Sequence, residues 1–179
     1  SGNANTCNAN GIEIAEAMAD LVAGELNIKA DDVIVASTGV IGQPLSIDPI
    51  AAGMEALASG LSENGGKAAA EAIMTTDTVM KEVAVEFTVG GKTCRIGGIA
   101  KGSGMIHPNM ATMLVFITTD AAIAPDMLQK ALSGDIANTF NMVSVDGDTS
   151  TNDMVAVLAN GLAGNEPITC EGADFEVVM

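Results

Sequence analysis

The chain has 179 residues, 48% hydrophobic and 17% charged, a composition that supports a packed core and excludes a disordered polymer. Asp and Glu number 23 against 7 Lys and Arg, giving a net charge of −16. Neither the stretch up to Ala111 nor the stretch from Thr112 on carries a basic excess, which argues against nucleic acid and against an anionic membrane as partners.

No signal peptide is evident and no apolar run approaches the ~20 residues of a membrane span, so the sequence reads as a soluble, cytoplasmic protein. Cys7, Cys94 and Cys170 are widely spaced and form no Cys-x-x-Cys pair, the pattern of reduced structural thiols. With a single histidine in the chain, no metal site is expected. Aromatic residues are scarce, so packing rests on Val, Ile, Leu, Ala and eleven Met.

Residues 1–11, rich in Asn and Gly, predict a loop. Ile14, Ala17, Met18, Leu21 and Val22 then recur at helical spacing with Glu13, Glu16 and Asp20 between them, which predicts an amphipathic helix. Val33–Ala36 predicts a short strand that ends in the small-residue loop Ser37-Thr-Gly-Val-Ile-Gly42. In that loop the Gly39 N–H and the Thr38 hydroxyl are two donors able to meet at one oxyanion, although Ser-Thr-Gly also serves simply as a turn. Asp48 is the expected N-cap and Pro49 the first residue of a helix carrying Ile50, Met54, Leu57 and Leu61.

Lys67–Ile73 is alanine-rich and helical in propensity, and runs into the polar cluster Met74-Thr-Thr-Asp-Thr78. Such a cluster either caps a turn or binds substrate. Val83, Val85, Phe87 and Val89 alternate with smaller or polar residues up to Gly90-Gly91, and Lys92–Gly97 follows, which predicts a β-hairpin. Lys101-Gly-Ser-Gly104 lacks both the P-loop and the dinucleotide spacing, so phosphate binding has no support. Taken alone, Lys101 reads as a solvated surface lysine. His107, alone beside Pro108, reads as a packing or capping residue.

The run Met113–Ile117 predicts a buried strand that opens directly after a Gly/Pro-rich loop. A threonine at that boundary, Thr112, is placed to attack the carbonyl of Ala111. Cleavage there would free an α-amine titrating at about 7.7 to 8.0, able to take the proton from its own hydroxyl. Position alone makes this a weak signal, since strands often begin with threonine.

Pro125–Leu132 predicts a helix continuing towards Phe140, Val143–Val145 a strand, and Met154–Ala159 another strand. Asp146 to Asn152 alternate as a calcium loop begins, but Thr151 and Val157 occupy the positions where that loop needs Gly and Glu. Residues 146–153 read as a connection between strands with no defined chemistry. The acidic stretch 171–179 ends without a stop signal, as a truncated chain would.

Five blocks, in order, carry a resemblance: Ser1–Cys7, Ala36–Gly42, Ala72–Thr78, Lys101–Leu114 and Val143–Asp153. Together they resemble the ornithine acetyltransferase family, the glutamate N-acetyltransferases of arginine biosynthesis, across nearly the whole chain. The resemblance implies a fragment lacking the family's N- and C-terminal parts. It implies an α/β fold with helices layered on mixed or antiparallel sheets, part of an α-β-β-α sandwich. It also implies one acetyltransferase domain over 1–179, cut autocatalytically between Ala111 and Thr112, whose two parts stay associated in a homo-oligomer.

The family roles carried onto this chain are Thr112 as nucleophile, Thr38 and Gly39 as oxyanion donors, and Thr75 and Lys101 with Thr112 as substrate-binding residues. The implied reaction moves acetyl from N-acetylornithine to glutamate through an acetyl-threonine, with small-molecule substrates, no cofactor, and acetyl-CoA as a conceivable second donor. Two alternatives remain: a self-processing amidase or aminopeptidase with water as acceptor, and an inactive fragment. The latter stands because the family draws a glutamate and further ligands from a C-terminal part that nothing here matches.

Overall fold

The computed structural model describes residues 3–5, 8–104 and 113–179. Its centre is a mixed four-stranded sheet in the order β1 (Lys81–Val89), β2 (Lys92–Lys101), β3 (Leu114–Thr119) and β4 (Met154–Ala159). Helices α1 (Gly11–Leu26), α2 (Asp48–Ser59) and α3 (Gly66–Ala72) precede it, α4 (Pro125–Asp135) lies between β3 and β4, and α5 (Ala173–Val178) follows. Helices on a mixed sheet are the architecture the sequence predicts.

β1 and β2 form the expected hairpin, in register from Val89↔Lys92 to Lys81↔Ala100. Its two-residue turn places Gly90 at φ +54° and Gly91 at φ +77°, left-handed backbone at both central positions, which matches the twist of the strands and favours glycine. β3 pairs with β2 antiparallel, and β4 with β3 parallel. A parallel pair needs a crossover, and α4 supplies it. Two 3-10 turns, Ile136–Asn138 and Phe140–Met142, extend that crossover beyond the helix towards β4.

The register puts Val85, Phe87 and Val89 on one face of the sheet with Cys94 and Ile96. The buried cluster gathers on that face around Val89, Cys94, Met127, Ala131, Ile168 and Phe175. Asn165 is the polar anchor of this end. It accepts the Ala122 N–H at 2.8 Å and donates to the carbonyls of Ala122 at 3.0 Å and Glu166 at 2.8 Å. α5 docks by the Asp174 carboxylate, which accepts the Gly90 N–H at 3.2 Å. On the N-terminal side, α1 packs against α2, burying Met18 and Met54 while Glu13, Glu16 and Asp20 stay exposed.

The structure corrects several expectations. Val33–Ala36 is not a strand. It has no ladder partner among the described residues, and Ile34 faces β4 across an open cavity of about 290 Å³. Val143–Val145 is not a strand either, because Phe140–Met142 closes a 3-10 turn onto the Val143 N–H and leaves both valines exposed. β-branched residues favour a strand only where a neighbouring strand can take their hydrogen bonds. Helix α2 begins at its expected cap, one residue earlier than predicted: Asp48 is helical, Ile47 holds the cap position, and the Ser46 hydroxyl accepts the Asp48 N–H at 3.2 Å. The C-terminal acidic stretch forms α5, with Phe175 buried.

Removing Asn165 leaves the part-buried Ala122 amide without its acceptor and takes one donor from each of two carbonyls, of which that of Ala122 keeps the Ile168 N–H. Asn165→Ala is therefore expected to destabilise the fold by about 2–3 kcal/mol, read as a lowered urea midpoint at unchanged slope. A change below about 0.5 kcal/mol would show that solvent takes over these bonds.

Candidate active site at the head of β3 and β4

β2 ends where β3 and β4 begin. Lys101 pairs with Leu114, and Leu114 with Met154, so the last residue of one strand and the first of two others lie on one line across the sheet. The residue before Leu114 is clamped from the β4 side. The Met113 N–H donates to Asp153 Oδ1 at 2.8 Å, and the Met113 carbonyl accepts the Met154 N–H at 3.0 Å. Met113 is joined covalently to Thr112, so these two bonds fix the chain that leaves the proposed nucleophile.

The second oxygen of Asp153 is buried, with no hydrogen-bond partner in normal geometry among the described residues. Burial pushes its carboxyl above the usual carboxylate range, and the Met113 N–H and the nearby Ser150 hydroxyl only partly oppose this.

On the β2 side Lys101 is 2% exposed, against the expectation of a solvated lysine. Its Nζ donates to the Gly102 carbonyl at 2.7 Å. Burial pushes it below the ordinary lysine range; the charge of Asp77 works against that shift and the charge of Lys81 with it. An ammonium buried against one neutral carbonyl keeps donor capacity for an anion.

Asp77 organises this corner. Its side chain is 0% exposed and gathers three donors: the Gly102 N–H at 2.6 Å and Lys81 Nζ at 2.7 Å on Oδ1, and the Thr75 N–H at 3.3 Å on Oδ2. Burial pushes its carboxyl up, but the bonds from Lys81, Gly102 and Thr75 outweigh that, and it rests below the usual range. Glycine at 102 suits a crowded position. A Cβ there would stand 3.2 Å from Asp77 Oδ1 and 3.2 Å from Lys81 Cε.

Of the residues singled out in the sequence, Thr75 and Lys101 are therefore brought together through Asp77 and Gly102. Thr38 is buried, at 3% exposure, and Gly39 adopts φ +131°, a backbone open to glycine and strained for other residues. Their loop is held at Val40, whose carbonyl accepts the Ala4 N–H at 3.0 Å. No hydrogen bond among the described residues joins Thr38 or Gly39 to the Lys101 corner. Ala111, Thr112 and His107 lie outside the described residues.

Asp153 was not distinguished by the sequence, because its partner is forty residues away and set by strand register. In the sequence Asp77 reads as one member of the polar cluster 74–78, and no local pattern ties it to β2. Among the described residues, no group of three or more His, Cys, Asp or Glu side chains is placed to hold a metal ion. No helix among them is long and apolar enough to cross a membrane.

The family model described as the ArgJ family matches residues 1–179. The arginine biosynthesis bifunctional protein ArgJ of Symbiobacterium thermophilum is 58% identical over 176 residues, covering 98% of this chain and 44% of that protein. ArgJ 1 of Clostridium acetobutylicum is 54% identical over 178 residues, covering 99% and 44%. The crystal structure of ArgJ from Bacillus halodurans superposes with a TM-score of 0.54 at 43% identity, over 60% of this chain and 57% of that one. The chain thus spans less than half the length of these curated relatives.

Two substitutions separate the hydrogen bond of Asp153 from its charge. Asp153→Ala leaves the Met113 amide unpaired and is expected to cost about 1–3 kcal/mol. Asp153→Asn keeps an acceptor and discards a buried charge. Because the folded-state pKa lies above the unfolded one, the folded state holds the proton more tightly. Stability from this group is thus present at low pH and falls as pH rises from the unfolded pKa through the folded one. Denaturation across that window should show this decline in the native protein and its absence in Asp153→Asn; parallel curves would refute the assignment.

Proposed function

The chain belongs to the ArgJ family, and on that premise we propose that it carries the nucleophile and part of the substrate site of a glutamate N-acetyltransferase of arginine biosynthesis. The observation that carries this reading is the head of β3: the residue following Thr112 is held by Asp153 and Met154, one strand away from a buried ammonium. Catalysis by one residue needs its backbone held fast, and this end of the sheet supplies rigid elements on both sides.

In this reading Thr112 becomes an N-terminal residue by cleavage of the Ala111–Thr112 bond. The cut falls between β2 and β3, neighbours in one sheet paired from Ile96↔Thr119 to Lys101↔Leu114. Both products stay held by that ladder. The Thr112 α-amine takes the proton from Oγ as Oγ attacks the acetyl carbonyl of N-acetylornithine. Thr38 and Gly39 serve the resulting oxyanion. Collapse breaks the C–N bond, the departing amine takes the proton, and acetyl remains as an ester on Oγ. The α-amine of glutamate then attacks that ester and loses a proton to the Thr112 amine; the acyl C–Oγ bond breaks, Oγ takes that proton back, and N-acetylglutamate leaves.

The two acids share an α-carboxylate, and a buried ammonium with spare donors suits it. Lys101 takes that role, with Thr75 beside it as a polar contact. This is a ping-pong cycle: one pocket binds the two amino acids in turn.

Product analysis tests this reading in a protein of full family length. N-acetylornithine with glutamate is expected to give ornithine and N-acetylglutamate in equal amounts, and without glutamate only a slow release of acetate. Free acetate at the same rate in both mixtures would establish an amidase instead. Thr112→Ala is expected to lower kcat by roughly 10³-fold or more, and Lys101→Met to raise KM for both amino acids together.

A further inference from the structure

Resting on the reading of Thr112 as a nucleophile freed by cleavage, we propose that Asp153 is a positioning residue for it: the carboxylate oxygen not engaged by Met113 receives the α-ammonium that cleavage creates.

Buried polar atoms in folded proteins almost always have a hydrogen-bond partner, so one without calls for a physical reason. Asp153 Oδ1 accepts the Met113 N–H at 2.8 Å, while Oδ2 is buried with no such partner among the described residues. Thr112 itself lies outside the described residues, but its peptide bond to Met113 limits where its nitrogen can be. A trans peptide turns its N–H towards the side of the preceding Cα, and bond lengths hold successive backbone nitrogens within about 3.7 Å. The α-nitrogen of Thr112 is thus kept within about 6 Å of Asp153 Oδ1, the range over which an opposite charge acts on a carboxylate.

Before the cut that nitrogen is a neutral amide; after it, an amine that is a cation when protonated. Cleavage therefore supplies the charge that the buried carboxylate lacks. The cost of burying Asp153 is then a property of the uncut chain. Among the described residues no charged side chain already does this work. The carboxyl is governed by burial, the Met113 N–H and the Ser150 hydroxyl, and neither Asp146 nor Asp148 on its own loop is among the causes. Lys101, across β3 on β2, responds to Asp77 and Lys81 rather than to Asp153.

During acetyl transfer the Oγ proton passes to the α-amine as Oγ attacks the acetyl carbonyl, and the amine becomes an ammonium. Asp153 stabilises that charge and does not itself take the proton, the part an aspartate plays behind a catalytic histidine. The charge disappears when the departing ornithine amine takes the proton.

The test follows the Asp153 carboxyl by ¹³C NMR in the protein at full family length, comparing the cut native form with the uncut Thr112→Ala form. Its midpoint is expected to be lower in the cut form by roughly one pH unit or more, because only there does an ammonium stand beside it. Equal midpoints overturn the proposal. A native protein that stays uncut removes the cleavage reading, and this proposal with it.

Activity gives a second readout through kcat/KM for N-acetylornithine, which reports the free enzyme. In Asp153→Asn, which keeps an acceptor for the Met113 N–H, the acid limb of that profile is expected to move to lower pH by roughly one unit. The plateau value of kcat is expected to fall roughly tenfold, as for a weaker base. A residue that serves only the fold would lower activity at every pH and leave the limb unmoved, which overturns the proposal.

Discussion

A carboxylate shut away from solvent and surrounded by three donors holds together the corner at the end of β2. Asp77 reaches from the loop after α3 to the backbone at the end of β2 and to the first residue of β1. A buried anion is tolerable only when its hydrogen bonds and an opposite charge replace the water it has lost. Here they do so well enough to keep the carboxyl below its ordinary range. The same bonds fix Gly102, the neighbour of Lys101, whose ammonium is buried. An exposed lysine in that position would be a flexible, hydrated point charge; a buried one is already placed and already desolvated.

The opposite side of the corner is built by another means. β3 and β4 run parallel and start together, so the residue before each strand lies at the same level of the sheet. That coincidence lets Asp153 accept the Met113 amide from the neighbouring strand. The two aspartates illustrate how environment sets ionisation. Asp77 has a cation and two amides and is pushed down. Asp153 has an amide and an oxygen with no such partner, and is pushed up.

The sequence showed the hairpin clearly because two independent signals coincide there: strict alternation from Val83 to Val89 and a Gly-Gly pair whose backbone freedom the turn uses. The runs opening at Met113 and Met154 were equally legible, being apolar, short and bounded by polar residues. Val33–Ala36 and Val143–Val145 misled for a physical reason. Their residues are of strand type, but a strand is a relation between two segments, and neither has a partner strand among the described residues.

The same limit applies to the site. Thr75 and Lys101 stand out through resemblance, yet their connection through Asp77 depends on side-chain placement across twenty-five residues. The Met113–Asp153 bond depends on which strands become parallel neighbours. Neither pairing leaves a trace in local pattern.

The central claim is that Thr112 gains its catalytic amine by a cut at its own N-terminal side. The direct measurement is the intact mass, under denaturing conditions, of the protein carrying this chain at full family length, beside its Thr112→Ala variant. The account predicts two fragments meeting at Ala111 and Thr112 in the first and one uncut chain in the second. A single uncut mass in both, accompanied by full acetyl-transfer activity, would contradict it.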